Sequence, residues 1–137
     1  MKRINVNSLM SGFDQKELWA MSQIYKTFGD MSMTNERAGV VVSFEDGLFE
    51  ATILSIIETY HQELAIIDKC LDPSIDFVAM DVNDFWLMIS HIIYALQAEL
   101  DTVLDVSHEV ETIEERNEWF DKYLFGSRAL KKLFDLF

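Results

Sequence analysis

From Phe49 to Leu71, and again from Phe85 to Val103, apolar residues return every third or fourth position, with the chain's one proline between the two stretches. That period places Phe49, Ile53, Ile56, Ile57, Tyr60, Leu64, Ile67 and Leu71 on one helical stripe, and Phe85, Met88, Ile89, Ile92, Ile93, Leu96, Leu100 and Val103 on another. Each stripe is too apolar to stay in water, so the two are expected to pack on each other at the centre of the fold. Asp72-Pro73 ends the first helix, because proline disfavours helix in the residue before it. Asp81 or Asn83 caps the second, which is expected to run from about residue 84 to 104.

Further helices follow from end signals. Asp14-Gln-Lys-Glu17 has capping-box spacing, with Phe13 and Leu18 at the two staple positions, and starts a helix expected to stop at Phe28, where Gly29 can turn the chain. Ser107 or His108 is expected to open another helix reaching about Leu124, with Val110, Ile113, Phe120, Tyr123 and Leu124 inward. Gly126-Ser127 then reads as a stop and a new cap before a short helix or tail over 127–137. Ala38 to Phe44 leaves room for a short irregular or β segment near 38–44, and with no second strand to pair with, a loop or short helix is expected there. At 137 residues, half of them apolar, the chain is read as one all-α domain, 1–137, a bundle of four to five helices that needs no metal or disulfide to fold.

Charge narrows the function. Residues 44–121 hold 19 Asp and Glu against Lys69 and Arg116, whereas 122–137 carry four bases and one acid. Direct binding to nucleic acid or to an anionic membrane is disfavoured, since phosphate binding relies on Lys and Arg contacts this chain lacks. The stretch Phe85 to Ala98 is too short to span a bilayer. One cysteine, Cys70, and no leader pattern at the start point to a cytoplasmic protein, in the host cytoplasm if the source is viral.

Little in the sequence supports catalysis. Glu58-Thr-Tyr-His61 and Asp105-Val-Ser-His108 repeat a carboxylate-to-histidine spacing used in di-iron bundles, but the two further glutamates such a site requires have only Glu50 and Glu99 as candidates. Asp81-Val-Asn-Asp84, opening an apolar helix, resembles the second acidic motif of the all-helical nucleotide pyrophosphohydrolases, in which carboxylates on adjacent helices bind magnesium and phosphates. That family's first motif, three glutamates within five helical positions, has no counterpart; Glu58 and Glu63 are five apart. Cys70 sits near an acidic helix end that disfavours a thiolate, and no glycine-rich phosphate loop or nucleophile elbow is present. The expectation is a protein that is not an enzyme and carries no cofactor.

Two surfaces are expected to bind. Glu99, Asp101, Asp105, Glu109, Glu111, Glu114, Glu115, Glu118 and Asp121 are offset only by Arg116, and like charges four apart repel by a few tenths of a kcal/mol. Keeping them suggests either solubility or attraction of a basic partner protein, such as one that holds nucleic acid. In composition the chain is similar to small acidic bacteriophage inhibitors that mimic nucleic acid. The end of the chain, Leu133, Phe134, Leu136 and Phe137 around Asp135, resembles tails by which replication or transcription accessory factors dock on sliding clamps, without the glutamine common in the bacterial version. Packing of those residues on the bundle is the plainer alternative, and self-association is left open.

Overall fold

The computed structural model describes residues 2–43 and 47–136, with side-chain surroundings for residues 2–29 and 59–136. In chain order the elements are β1 (Arg3–Asn5), α1 (Val6–Leu9), α2 (Gln15–Ser43), α3 (Gly47–Leu71), β2 (Ala79–Asp81), α4 (Val82–Glu109) and α5 (Ile113–Asp135). The chain is an all-α bundle with one small antiparallel ribbon, in which Arg3, Ile4 and Asn5 pair with Asp81, Met80 and Ala79.

Asn5 anchors the ribbon beside its backbone pairing. Asn5 Oδ1 accepts from the Asn7 and Val78 amides at 3.2 and 3.0 Å, while its Nδ2 donates to the Asp76 carbonyl at 3.3 Å. The capping box forms as its spacing requires: the Glu17 amide donates to Asp14 Oδ1 at 2.8 Å and the Asp14 amide to Glu17 Oε1 at 2.9 Å. Phe13 and Leu18 are both buried beside it. Asp81 caps α4, accepting from the Asn83 amide at 2.9 Å, and Thr112 caps α5, accepting from the Glu115 amide at 3.1 Å.

The helices do not stop where glycine and serine suggest. α2 runs through Gly29 as far as Ser43, so residues 38–43 are helical; Phe44 lies outside the described residues, and the β segment of the fold is the ribbon instead. Gly29 serves close approach, since a Cβ there would overlap the Tyr60 ring of α3. α4 continues past Ser107 and His108 to Glu109, because Ser107 satisfies its hydroxyl on the Leu104 carbonyl, 2.5 Å away, and is buried within the helix. α5 likewise passes through Gly126 without a break. A Cβ at Gly126 would stand 2.7 Å from Ile24 Cδ1 and 3.0 Å from Leu100 Cδ2, so this glycine lets α2, α4 and α5 converge.

That convergence moves the centre of the fold. α2 packs against α3, α4 and α5, and α4 packs most extensively on α5, whereas among the described residues α3 makes few close backbone approaches to α4. Small buried residues set these distances: Ala20 on α2, Ala95 on α4, and Gly126 and Ala129 on α5. Ile92 is fully buried as expected, and Ile57 lies outside the described side chains. By length and composition α4 would suffice to cross a bilayer; here its row Phe85, Met88, Ile89, Ile92 and Leu96 is the core of the bundle.

Candidate functional site: the acidic end of the α4–α5 hairpin

α4 and α5 form an antiparallel hairpin joined by Val110, Glu111 and Thr112, so acids far along the two helices meet at one end. With a rise of roughly 1.5 Å per residue, Glu99 and Asp121 each lie within roughly 15 Å of the turn along their helices. Asp101, Asp105, Glu109, Glu111, Glu114, Glu115, Glu118 and Asp121 are exposed, and Glu99 is half-buried. They spread over the surface: among the described residues no group of three or more His, Cys, Asp or Glu could hold a metal ion.

The bases nearby do little to neutralise this end. Arg116 is exposed. Lys122, only 14% exposed in its side chain, is 3.9 Å from Glu118. Its ammonium lies over Trp119 at 4.2 Å and Trp19 at 6.0 Å, beneath the acids.

The acids are not equivalent. Glu114 and Glu115 occupy the first turn of α5, where the helix dipole favours negative charge, while Glu109 ends α4, where it disfavours it. Glu111 lies in the connection, so the expected helical repulsion between Glu111 and Glu115 does not arise; Glu114 and Glu118 retain it. Ile113 and Phe120, expected to face inward, are 73% and 48% exposed. Their place on the inner face of α5 is taken by Trp119, Gly126, Ala129 and Leu133.

The other candidate residues are dispersed. Asp105, His61 and His108 are exposed, and Glu58 lies outside the described side chains. Leu133 is fully buried in the core and Leu136 is half-buried; Phe134 is 49% exposed, and Phe137 lies outside the described residues. The clamp-like tail is therefore the last turn of α5, which reaches Asp135, and Leu133 is not free to dock. Burial pushes the Cys70 thiol up to about 11, against thiolate chemistry at pH 7.

One polar cluster has no counterpart in the sequence reading. Glu63, buried on α3, accepts from the Tyr25 hydroxyl at 2.7 Å and lies 2.8 Å from His91 Nδ1 on α4. Burial, then the hydrogen bond and the charge of Glu63, raise the Tyr25 pKa far above the usual tyrosine range. The available signal was an acid on the inward row of α3, three residues after Tyr60 and four before Ile67. Glu63 and Asp84 both line an open groove of about 440 Å³ between α3 and α4, with Thr59, Gln62, Lys69 and Leu87. Asp84 is exposed there, and Asp81 caps α4 through Oδ1 while its Oδ2 is buried with no hydrogen-bond partner among the described residues. Comparison with protein-family models, curated proteins and solved structures found no match to this chain.

Proposed function

We propose that the protein is a non-enzymatic interaction protein whose acidic α4–α5 end engages a basic surface on a partner protein. The observation that carries this reading is the set Asp101, Asp105 and Glu109. These acids are exposed on the C-terminal part of α4, where Glu109 opposes the helix dipole, and none has a hydrogen-bond or ion-pair partner among the described residues. Glu114 and Glu115 have a local use in the first turn of α5; the α4 acids have none in the fold. A concentrated field of one sign steers encounter with a surface of the other sign, and a protein that holds nucleic acid is the partner class this field fits.

The second reading is a metal-dependent nucleotide hydrolase, favoured by Glu63 and Asp84 sharing one groove. It is weakened because Glu63 is already committed to Tyr25 and His91.

The test compares Asp105→Lys/Glu109→Lys/Glu118→Lys with a control, Asp76→Lys/Asp84→Lys/Asp135→Lys, in affinity capture and then in association kinetics with the captured protein. The first variant is expected to slow association at least tenfold and the control much less. The wild-type rate should fall as screening shortens from about 10 Å at 0.1 M salt to about 3 Å at 1 M. Equal effects of the two variants, or a rate indifferent to salt, would assign the acidity to solubility. Magnesium-dependent nucleotide turnover lost in Asp84→Asn would replace the first reading with the second.

A further inference from the structure

The outer face of α5 carries a second, apolar pattern beside the acidic end. Ile113, Asn117, Phe120, Leu124, Ser127, Lys131 and Phe134 follow one another at alternating steps of four and three, the spacing of a coiled-coil seam. Ile113, Phe120 and Phe134 are 73%, 48% and 49% exposed, seven and fourteen positions apart with Ser127 at the step between the last two, and Leu124 is half-buried. The bundle uses the other side of the helix, through Gly126, Ala129 and Leu133. Three large apolar groups in register along one solvent face are more than scattered surface hydrophobes require.

The charge along α5 selects the occupant. Its first half holds Glu114, Glu115, Glu118 and Asp121 against Arg116; in its second half Arg128 and Lys131 are exposed, while Lys122 and Lys132 are engaged with Glu118 and Glu17 within the fold. A second copy laid antiparallel sets the acidic half of each helix beside the basic half of the other; a parallel copy opposes like charges along its whole length. We propose that two copies of this chain pair through this seam, antiparallel about a two-fold axis. Placing Phe120 of one copy against Leu124 of the other brings Asn117 beside Ser127 and Ile113 beside Lys131. A polar Asn in the seam fixes register and keeps the association modest. Asp105 and Glu109 lie on α4 outside the seam, whereas the α5 acids serve in both, so pairing and partner binding share the charge of α5 but not that of α4.

Sedimentation equilibrium of the whole chain from about 1 µM to about 500 µM tests the pairing, because a seam of this length is a small interface. The mass is expected to rise from 15.9 kDa toward twice that value. Phe120→Glu and Leu124→Glu, the two sides of the apolar contact, checked for unchanged helicity, should each weaken pairing at least tenfold. Orientation is read in a Cys70→Ala background by oxidising Ile113→Cys and Lys131→Cys chains with copper phenanthroline. Mixed chains are expected to cross-link in preference to either chain with itself. A mass of 15.9 kDa throughout, pairing unaffected by both glutamate variants, or preferential linkage of Ile113→Cys to itself would each overturn the proposal.

Discussion

The two ends of the bundle are built on opposite principles. At the end where α2 and α4 begin and α5 finishes, polar side chains are spent on joining distant parts of the chain. Lys132 donates to the Gly12 carbonyl at 2.8 Å and pairs with buried Glu17 at 2.5 Å, while Asn5 and Asn7 tie the first residues to the segment before β2. At the other end, where α4 turns into α5, most carboxylates have no hydrogen-bond or ion-pair partner among the described residues. One end uses polarity to specify the fold; the other keeps charge that the fold does not need. Function is therefore better sought where the polar groups are unemployed.

The largest contrast is expected between Leu133 and Ile113, both aliphatic residues on α5. Leu133→Ala removes a fully buried side chain and should cost about 2–5 kcal/mol, whereas Ile113→Ala should stay within about 0.5 kcal/mol in the dilute monomer. Urea denaturation at low protein concentration measures both, and similar losses would abolish the distinction between the ends. Glu17→Gln comes next. It weakens charged hydrogen bonds to Lys132 and to the Asp14 amide at a buried site, for a loss of about 1.5–3 kcal/mol, discounted because Lys132 is partly exposed. A loss no larger than that of Glu118→Gln would show that the tie contributes little. The smallest effect has two signs: Glu109→Gln should raise stability and Glu115→Gln lower it, each by about 0.3–1 kcal/mol at low salt, because the two acids sit at opposite poles of their helices. The same sign for both would remove the argument that the α4 acids are kept against a cost.

What the sequence made legible was local. The Asp14/Glu17 box, the stop at Asp72-Pro73 and the Asp81 cap are decided within four residues, and each is found where its spacing puts it. Gly29 and Gly126 were misread because glycine serves equally to end a helix and to admit a neighbour, and the choice depends on Tyr60, Ile24 and Leu100, far away in the chain. Ile113 and Phe120 were turned inward by counting hydrophobic residues, when the contact face of α5 is set by small ones. β1 is three residues long, too short for any period, and its partner lies more than 70 residues on. Of the candidate site, the acids themselves could be named, but not the groups they meet. Glu63 is weighed in the sequence only against Glu58, because an acid within an apolar row has no meaning until Tyr25 and His91 arrive beside it.

The meeting at Gly126 has a consequence for the chain as it is made. Synthesis delivers α2 well before α5, yet Ile24 is covered by the backbone of Gly126, and Lys132 reaches back to Glu17 across 115 positions. Through most of translation, then, α2 waits with its apolar side unsealed, and β1 waits for Ala79–Asp81 to leave the ribosome. Domains that close from their own beginning can fold as they emerge. Here α2 gains the cover of α5 only after the residues between them have been made.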